Sequence, residues 1–155
     1  MTEQVSKEER AYQKILRCVS VREQSSIKMR EKLSNAGFSE EVIDCALDRA
    51  MRTSAIDDAR YANALIRMTI SRGKGLAFVE REIEALGLHL EEMEAYAEYL
   101  EDYPQSDEAR ALDFLRRHPP RSKNQREGAF RKLVSQGYSI SVAGDAAQMW
   151  ATGTS

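Results

Sequence analysis

At 155 residues, 42% hydrophobic and 31% charged, the chain has enough apolar content to bury a core without covalent staples, which excludes a disordered polymer. A formal net charge of −2 makes the placement of charge more informative than its sum. No apolar run reaches the roughly 18 residues of a membrane span, and residues 1–10 hold no apolar core segment, so neither a span nor a signal peptide is expected and the cytoplasm is the expected address.

Tyr12, Ile15, Leu16 and Val19 follow the i, i+3, i+4, i+7 spacing of one buried helical face and predict a first helix over 7–20. Met29, Leu33 and Ala36 predict a second that stops at Gly37, a residue suited to the left-handed conformation beyond a helix end. Ser39 then caps a third helix, with Glu40 and Glu41 at its positive end and Val42, Ile43, Ala46, Leu47 and Ala50 facing inward. The plan starts again at Asp57-Asp58, runs through Leu65 and Ile66, turns at Arg72-Gly-Lys-Gly75, and continues in helices over 76–86 and 90–101. Tyr103-Pro104 closes it, because proline disfavours helix in the residue before it. A third round begins near Asp107, is cut at His118-Pro119-Pro120, and resumes over 123–136 and 140–150, with 151–155 expected to fray.

These rounds are one repeat. Sliding the sequence on itself by 50 positions aligns Leu33, Ile83 and Leu133; Gly37, Gly87 and Gly137; Phe38, Leu88 and Tyr138; and Ile15, Leu65 and Leu115. Arg10, Arg60 and Arg110 form another column, and Arg17, Arg67 and Arg117 a further one. The expected fold is all-α, an elongated array of three tandem three-helix repeats with about nine helices, bounded at 1–53, 54–104 and 105–155.

No seat for catalysis is visible. Asp57-Asp58 and Glu91-Glu92 lie at helix starts, where the macrodipole favours carboxylates, and nothing pairs a nucleophile with a base. Gly73-Lys74-Gly75 lacks the spacing and the Ser/Thr of a phosphate loop. Cys18 and Cys45 read as reduced thiols outside any metal motif, and His89 and His118 have no second ligand at helical spacing; no metal or cofactor is expected. The segment 33–43 looks like a helix-turn-helix, yet the helix after its glycine carries Glu40, Glu41, Asp44 and Asp48, which phosphates would repel.

Charge is segregated. Residues 82–102 hold eight acids and no Lys or Arg, whereas 110–132 hold eight bases against Asp113 and Glu127. Lys7, Arg10, Lys14 and Arg17 fall opposite the apolar stripe of the first helix as a basic ridge, echoed by Arg60 with Arg67 and Arg110 with Arg117. Arginines at such intervals suit a repetitive anionic partner; the plainer alternative is a solvated surface.

Two stretches carry a family likeness. Ile15-Leu-Arg17, Ser20-Val-Arg22-Glu-Gln-Ser25 and Lys32-Leu33 form one; Ile56-Asp57-Asp58-Ala-Arg60-Tyr61-Ala62 with Arg72-Gly-Lys-Gly75 forms the other. Phe130-Arg-Lys132-Leu133 and Gly137-Tyr138-Ser139 extend it over nearly the whole chain, which resembles the bacterial RecX family, modulators of the RecA recombinase. The resemblance implies a repeat array lodged in the groove of a RecA filament on single-stranded DNA, inhibiting its ATPase and strand exchange. Arg10, Arg17, Arg22, Arg60, Arg67, Arg72 and Lys74 are the expected contacts to RecA or DNA. Third repeats of the family need not carry Pro119-Pro120, and the acidic total favours contact through protein, with DNA binding weak alone and the chain a monomer. The alternatives are a nucleic-acid-binding helical module acting without RecA, and a helical-repeat adaptor for another protein.

Overall fold

The computed structural model describes residues 5–103 and 106–153. Among them are nine α-helices and no strand: α1 Lys7–Val21, α2 Ser26–Asn35, α3 Glu40–Arg52, α4 Asp58–Ser71, α5 Ala77–Ala85, α6 Glu94–Asp102, α7 Ser106–Arg117, α8 Gln125–Ser135 and α9 Ile140–Thr152. A 3-10 turn, Leu90–Glu92, precedes α6. The residues form two compact units, one through Ala64 and one from Leu65, the division falling within α4.

In the first unit α3 packs on both α1 and α2. Ala11, Tyr12, Ile15, Met29, Leu33, Val42, Ile43, Ala46, Leu47, Ala50 and Ile56 make one core, so the apolar spacing in each helix becomes one inward face. Each helix starts on a serine whose hydroxyl accepts an orphan N–H: Ser6 from Glu9, Ser25 from Lys28 and Ser39 from Val42. Gly37, at φ 94°, ends α2, and the Phe38 N–H returns to Leu33 O at 3.2 Å.

The second unit repeats this logic. α9 packs on α7 and α8 over a core that includes Leu115, Ala129, Leu133, Tyr138, Ala143 and Ala147. Ser139 caps α9 through Val142 N–H, and Gly137 takes φ 91° where Gly37 took 94°. Leu33, Ile83 and Leu133 are all fully buried, so the 50-residue column is a packing column. The turn into α5 lies against the turn into α9: Gly75 N–H donates to Gln136 O at 3.1 Å and Ala77 N–H to Gly137 O at 3.0 Å. A Cβ on Gly75 would stand 2.6 Å from Gly137 O, which is why that place holds glycine.

Several expected boundaries shift. The helix expected over 90–101 is broken, because Met93 is extended (ψ 133°) between the 3-10 turn and α6. His89 stands where Ser39 and Ser139 stand in the other rounds and makes no capping bond, so no continuous helix starts there. Leu65 is only half-buried, and Ile66 takes the fully buried place on α4. α8 starts at Gln125 because Asn124 caps it, accepting from Glu127 N–H at 3.1 Å. The fray expected from Ala151 is corrected: α9 runs to Thr152 and ends at left-handed Gly153, φ 69°. α6 ends at Asp102, and Pro104, expected to close that round, lies outside the described residues, as do residues 154–155. No described helix is long and apolar enough to cross a membrane.

Candidate partner-binding surface

The basic ridge of α1 exists as a face. Helical geometry turns Arg10, Lys14 and Arg17 away from Ala11, Tyr12 and Ile15, and the three bases line a groove of about 380 Å³ with Gln13, Ala36 and Phe38. None of the three bases forms an ion pair among the described residues, so this face is an uncompensated cluster of positive charge over a partly apolar floor. Arg22, the C-cap of α1, is exposed and extended.

Arg60 and Arg67 are differently placed. Arg60 donates from Nε to Glu23 at 2.5 Å and from Nη2 to Ser54 O and Ala55 O at 3.0 and 3.3 Å. Arg67 grips both oxygens of Glu98, Nε to Oε2 at 3.3 Å and Nη2 to Oε1 at 3.1 Å. The hydrogen bond to the carboxylate raises each guanidinium pKa, so both stay charged but already have their anion. A partner contacting them must displace a glutamate.

Arg72 and Lys74 sit exposed on the turn after α4. That turn is held from beneath by Arg110, which the sequence placed on an exposed ridge; it is corrected to a buried residue, 7% exposed. Its Nη2 donates to Ile70 O at 3.3 Å and Lys74 O at 2.7 Å, and its Nη1 lies 3.5 Å from Asp107. The guanidinium packs over the rings of Tyr99 and Tyr138 at 5.3 and 6.0 Å. Tyr99 OH donates to the same Asp107, and Tyr138 OH to Gly73 O at 2.7 Å. Burial pushes the Tyr138 phenol up to about 12 and the Tyr99 phenol higher still, the latter with help from its bond to Asp107. Beside the turn, a second cavity of about 380 Å³ is lined by Arg72, Phe114, Arg117 and His118 among others. Arg117 is paired with Asp113 at 3.0 Å.

The acid pairs are built into helix starts. Asp57 accepts the Arg60 N–H at 3.1 Å as cap of α4. Asp58 accepts from Ser26 N–H at 2.8 Å and Ser26 Oγ at 2.6 Å. Among the described residues no three His, Cys, Asp or Glu gather as a metal site, and Cys18 and Cys45 are free thiols. The burial of Arg110 had no sequence signal, since it shares its column with exposed Arg10 and Arg60.

Three-helix modules with cationic faces define this chain as a helical-repeat protein. The pattern of the first three-helix domain of RecX matches residues 11–49. The regulatory protein RecX of Pseudomonas entomophila is 30% identical over 131 residues, spanning 79% of this chain and 80% of that protein. That of Stenotrophomonas maltophilia strain R551-3 is 29% identical over 136 residues, 85% and 82% of the two chains. The crystal structure of RecX from Lactobacillus salivarius shares the fold with TM-score 0.61 at 16% identity, over 93% of this chain and 96% of that one. A further RecX crystal structure gives TM-score 0.60 at 20% identity, over 88% and 69%. The chain belongs to the RecX family of regulatory proteins.

Proposed function

We propose that this chain is a non-catalytic cytoplasmic regulator of homologous recombination, which binds the RecA filament on single-stranded DNA and inhibits its ATPase and strand exchange. Family membership supports the regulatory class, and the observation that carries the contact is the uncompensated face of Arg10, Lys14 and Arg17 on α1. In this reading the modules 1–53, 54–104 and 105–155 act as one tandem array. Arg10, Arg17 and Arg22, with Arg72 and Lys74 on their buttressed turn, make the first contacts to acidic recombinase surface or to DNA in the filament groove. Arg60 and Arg67 join by exchanging Glu23 and Glu98 for partner anions. Charge-driven contact of this kind weakens with salt.

The test is RecA-dependent ATP hydrolysis on single-stranded DNA, titrated with this protein. A dose-dependent fall is expected; an unchanged rate at saturating protein refutes the proposal. An affinity for naked single-stranded DNA equal to that for the filament would favour a nucleic-acid module acting without RecA.

A further inference from the structure

Within the second unit, α7 and the turn after α4 enclose the cavity of about 380 Å³, inside the range of about 300–1,000 Å³ usual for small-molecule sites. Spacing along α7 builds one wall: Arg110, Asp113, Phe114 and Arg117 fall at i, i+3, i+4 and i+7, and His118 follows at the helix end. Arg72 and Gly73 of the turn, with Tyr103 beyond α6, line it as well.

Two kinds of group meet there. Three guanidinium groups, Arg72, Arg110 and Arg117, line the cavity with a single carboxylate among the described residues, Asp113. Arg72 makes no ion pair among the described residues, and Arg117 holds Asp113 at 3.0 Å in an exposed pair that an incoming anion can share. Aromatic rings are the second kind. Half-buried Phe114 stands 4.9 Å from His118, centre to centre and tilted by 39°, and exposed Tyr103 faces the same space.

The main chain of the turn is already spent. The amides of Arg72, Gly73, Lys74 and Gly75 donate to Met68 O, Ile70 O, Thr69 O and Gln136 O, while the carbonyls of Ile70, Gly73 and Lys74 accept from Arg110 or Tyr138. The turn therefore cannot cradle phosphate on its amides as a phosphate loop does, and it offers an extended peptide no edge to pair with. Recognition is left to charged forks and ring faces. Arg110 also sits on Ile70 O at the negative end of α4, which offsets the repulsion an anion would meet there.

We infer that this cavity holds one nucleotide, a phosphate beside a flat base. Arg72 and Arg117 take the phosphate oxygens, and the base lies against Phe114 and His118 with Tyr103 at the rim. Asp113, an acceptor only, suits an amino group of the base or a hydroxyl of the sugar. Inorganic phosphate would leave the rings idle. The site goes beyond the recombinase reading and needs no RecA; a free nucleotide and a nucleotide within a strand present it with the same groups.

The full chain, labelled with nitrogen-15, is titrated with deoxyadenosine monophosphate and followed through its amide resonances. Saturable shifts centred on 70–75 and 113–118 are expected, with the nucleotide bound about fivefold or more tighter than inorganic phosphate or deoxyadenosine alone. Arg72→Glu and His118→Ala, both at exposed positions, should each weaken binding by a similar factor. Phe114→Leu, which keeps apolar volume in place of the ring, should do so with helicity unchanged, whereas Arg52→Glu, an exposed residue paired with Asp48, should have no effect. A single-stranded deoxyadenosine oligomer tells the sources apart: tighter binding than the mononucleotide at the same amides assigns the site to a strand, and weaker binding assigns it to the free nucleotide. No saturable shift at those amides, phosphate bound as tightly as the nucleotide, or binding unmoved by Arg72→Glu or by His118→Ala overturns the assignment. RecA takes no part in this titration, so its failure and that of the ATPase test are separate results.

Discussion

Gly75→Ala is the sharpest probe of how the second unit is built. The new methyl group would lie 2.6 Å from Gly137 O, Tyr138 Cα and Tyr138 N, all main-chain atoms that cannot swing aside. Relief requires the two turns to separate, which lengthens the Gly75-to-Gln136 and Ala77-to-Gly137 hydrogen bonds and pulls on Tyr138 OH to Gly73 O. Two to three bonds at about 1 kcal/mol each, with an overpacking cost of about 1–3 kcal/mol, give a loss of roughly 3–6 kcal/mol. For a chain of this size that lowers Tm by about 6–24 °C. Gly87→Ala is the matched control: its φ is +77°, but nothing lies within 4 Å of the added atom, so only the left-handed backbone penalty of about 1 kcal/mol applies. Urea unfolding followed by circular dichroism at 222 nm measures both. If Gly75→Ala costs no more than Gly87→Ala, the close approach of the turns is not a stabilising contact and the argument fails.

Arg110→Met should cost about 3–5 kcal/mol, because it breaks a buried ion pair, leaving Asp107 without its countercharge and Lys74 O without its side-chain donor; calorimetry showing less than 1 kcal/mol would contradict a clamp. Stability should fall at alkaline pH. The Tyr138 phenol is raised in the folded state above its ordinary value near 10, so its contribution is complete below about pH 10 and is lost as pH rises through about 12. Urea midpoints between pH 9 and 11.5 test this, and Tyr138→Phe should flatten the slope. Arg17→Glu should abolish inhibition of RecA-dependent ATP hydrolysis with helicity unchanged, while Arg67→Ala should reduce it only a fewfold, since Arg67 is already paired; equal losses would show that pairing does not matter. Thermal stability of Arg67→Ala should stay within about 1 kcal/mol of wild type, as for other half-exposed ion pairs.

Much of this molecule is readable in the chain because its repeat writes the same instruction three times. Leu33, Ile83 and Leu133 repeat at a fixed interval because each fills the centre of a core, and Gly37 and Gly137 because each ends a helix in left-handed backbone. The break at Met93 has no mark in the apolar spacing, because Leu90, Met93 and Ala97 are compatible with an unbroken helix; the lack of a capping serine at His89 is the one signal the sequence offers. The charged residues were legible only in part. Their positions on helix faces follow from spacing, which is why Arg10 and Arg17 were found exposed as expected. Whether an arginine faces water, a glutamate or a neighbouring carbonyl depends on residues some 30 to 40 positions away, such as Glu98 for Arg67 or Lys74 for Arg110. No local pattern encodes that, so the three members of one column met three fates.

The carboxylate of Asp58 bears on how the first unit comes apart. It sits in the first turn of α4 yet satisfies the N–H and hydroxyl of Ser26 at the start of α2, 32 residues earlier. Two helices thus lean on a single anion, and unwinding the first turn of α4 strips α2 of a donor's mate at the same moment. Amide protons at the two helix starts should exchange with solvent as one cooperative group, and neither segment is free to fray alone.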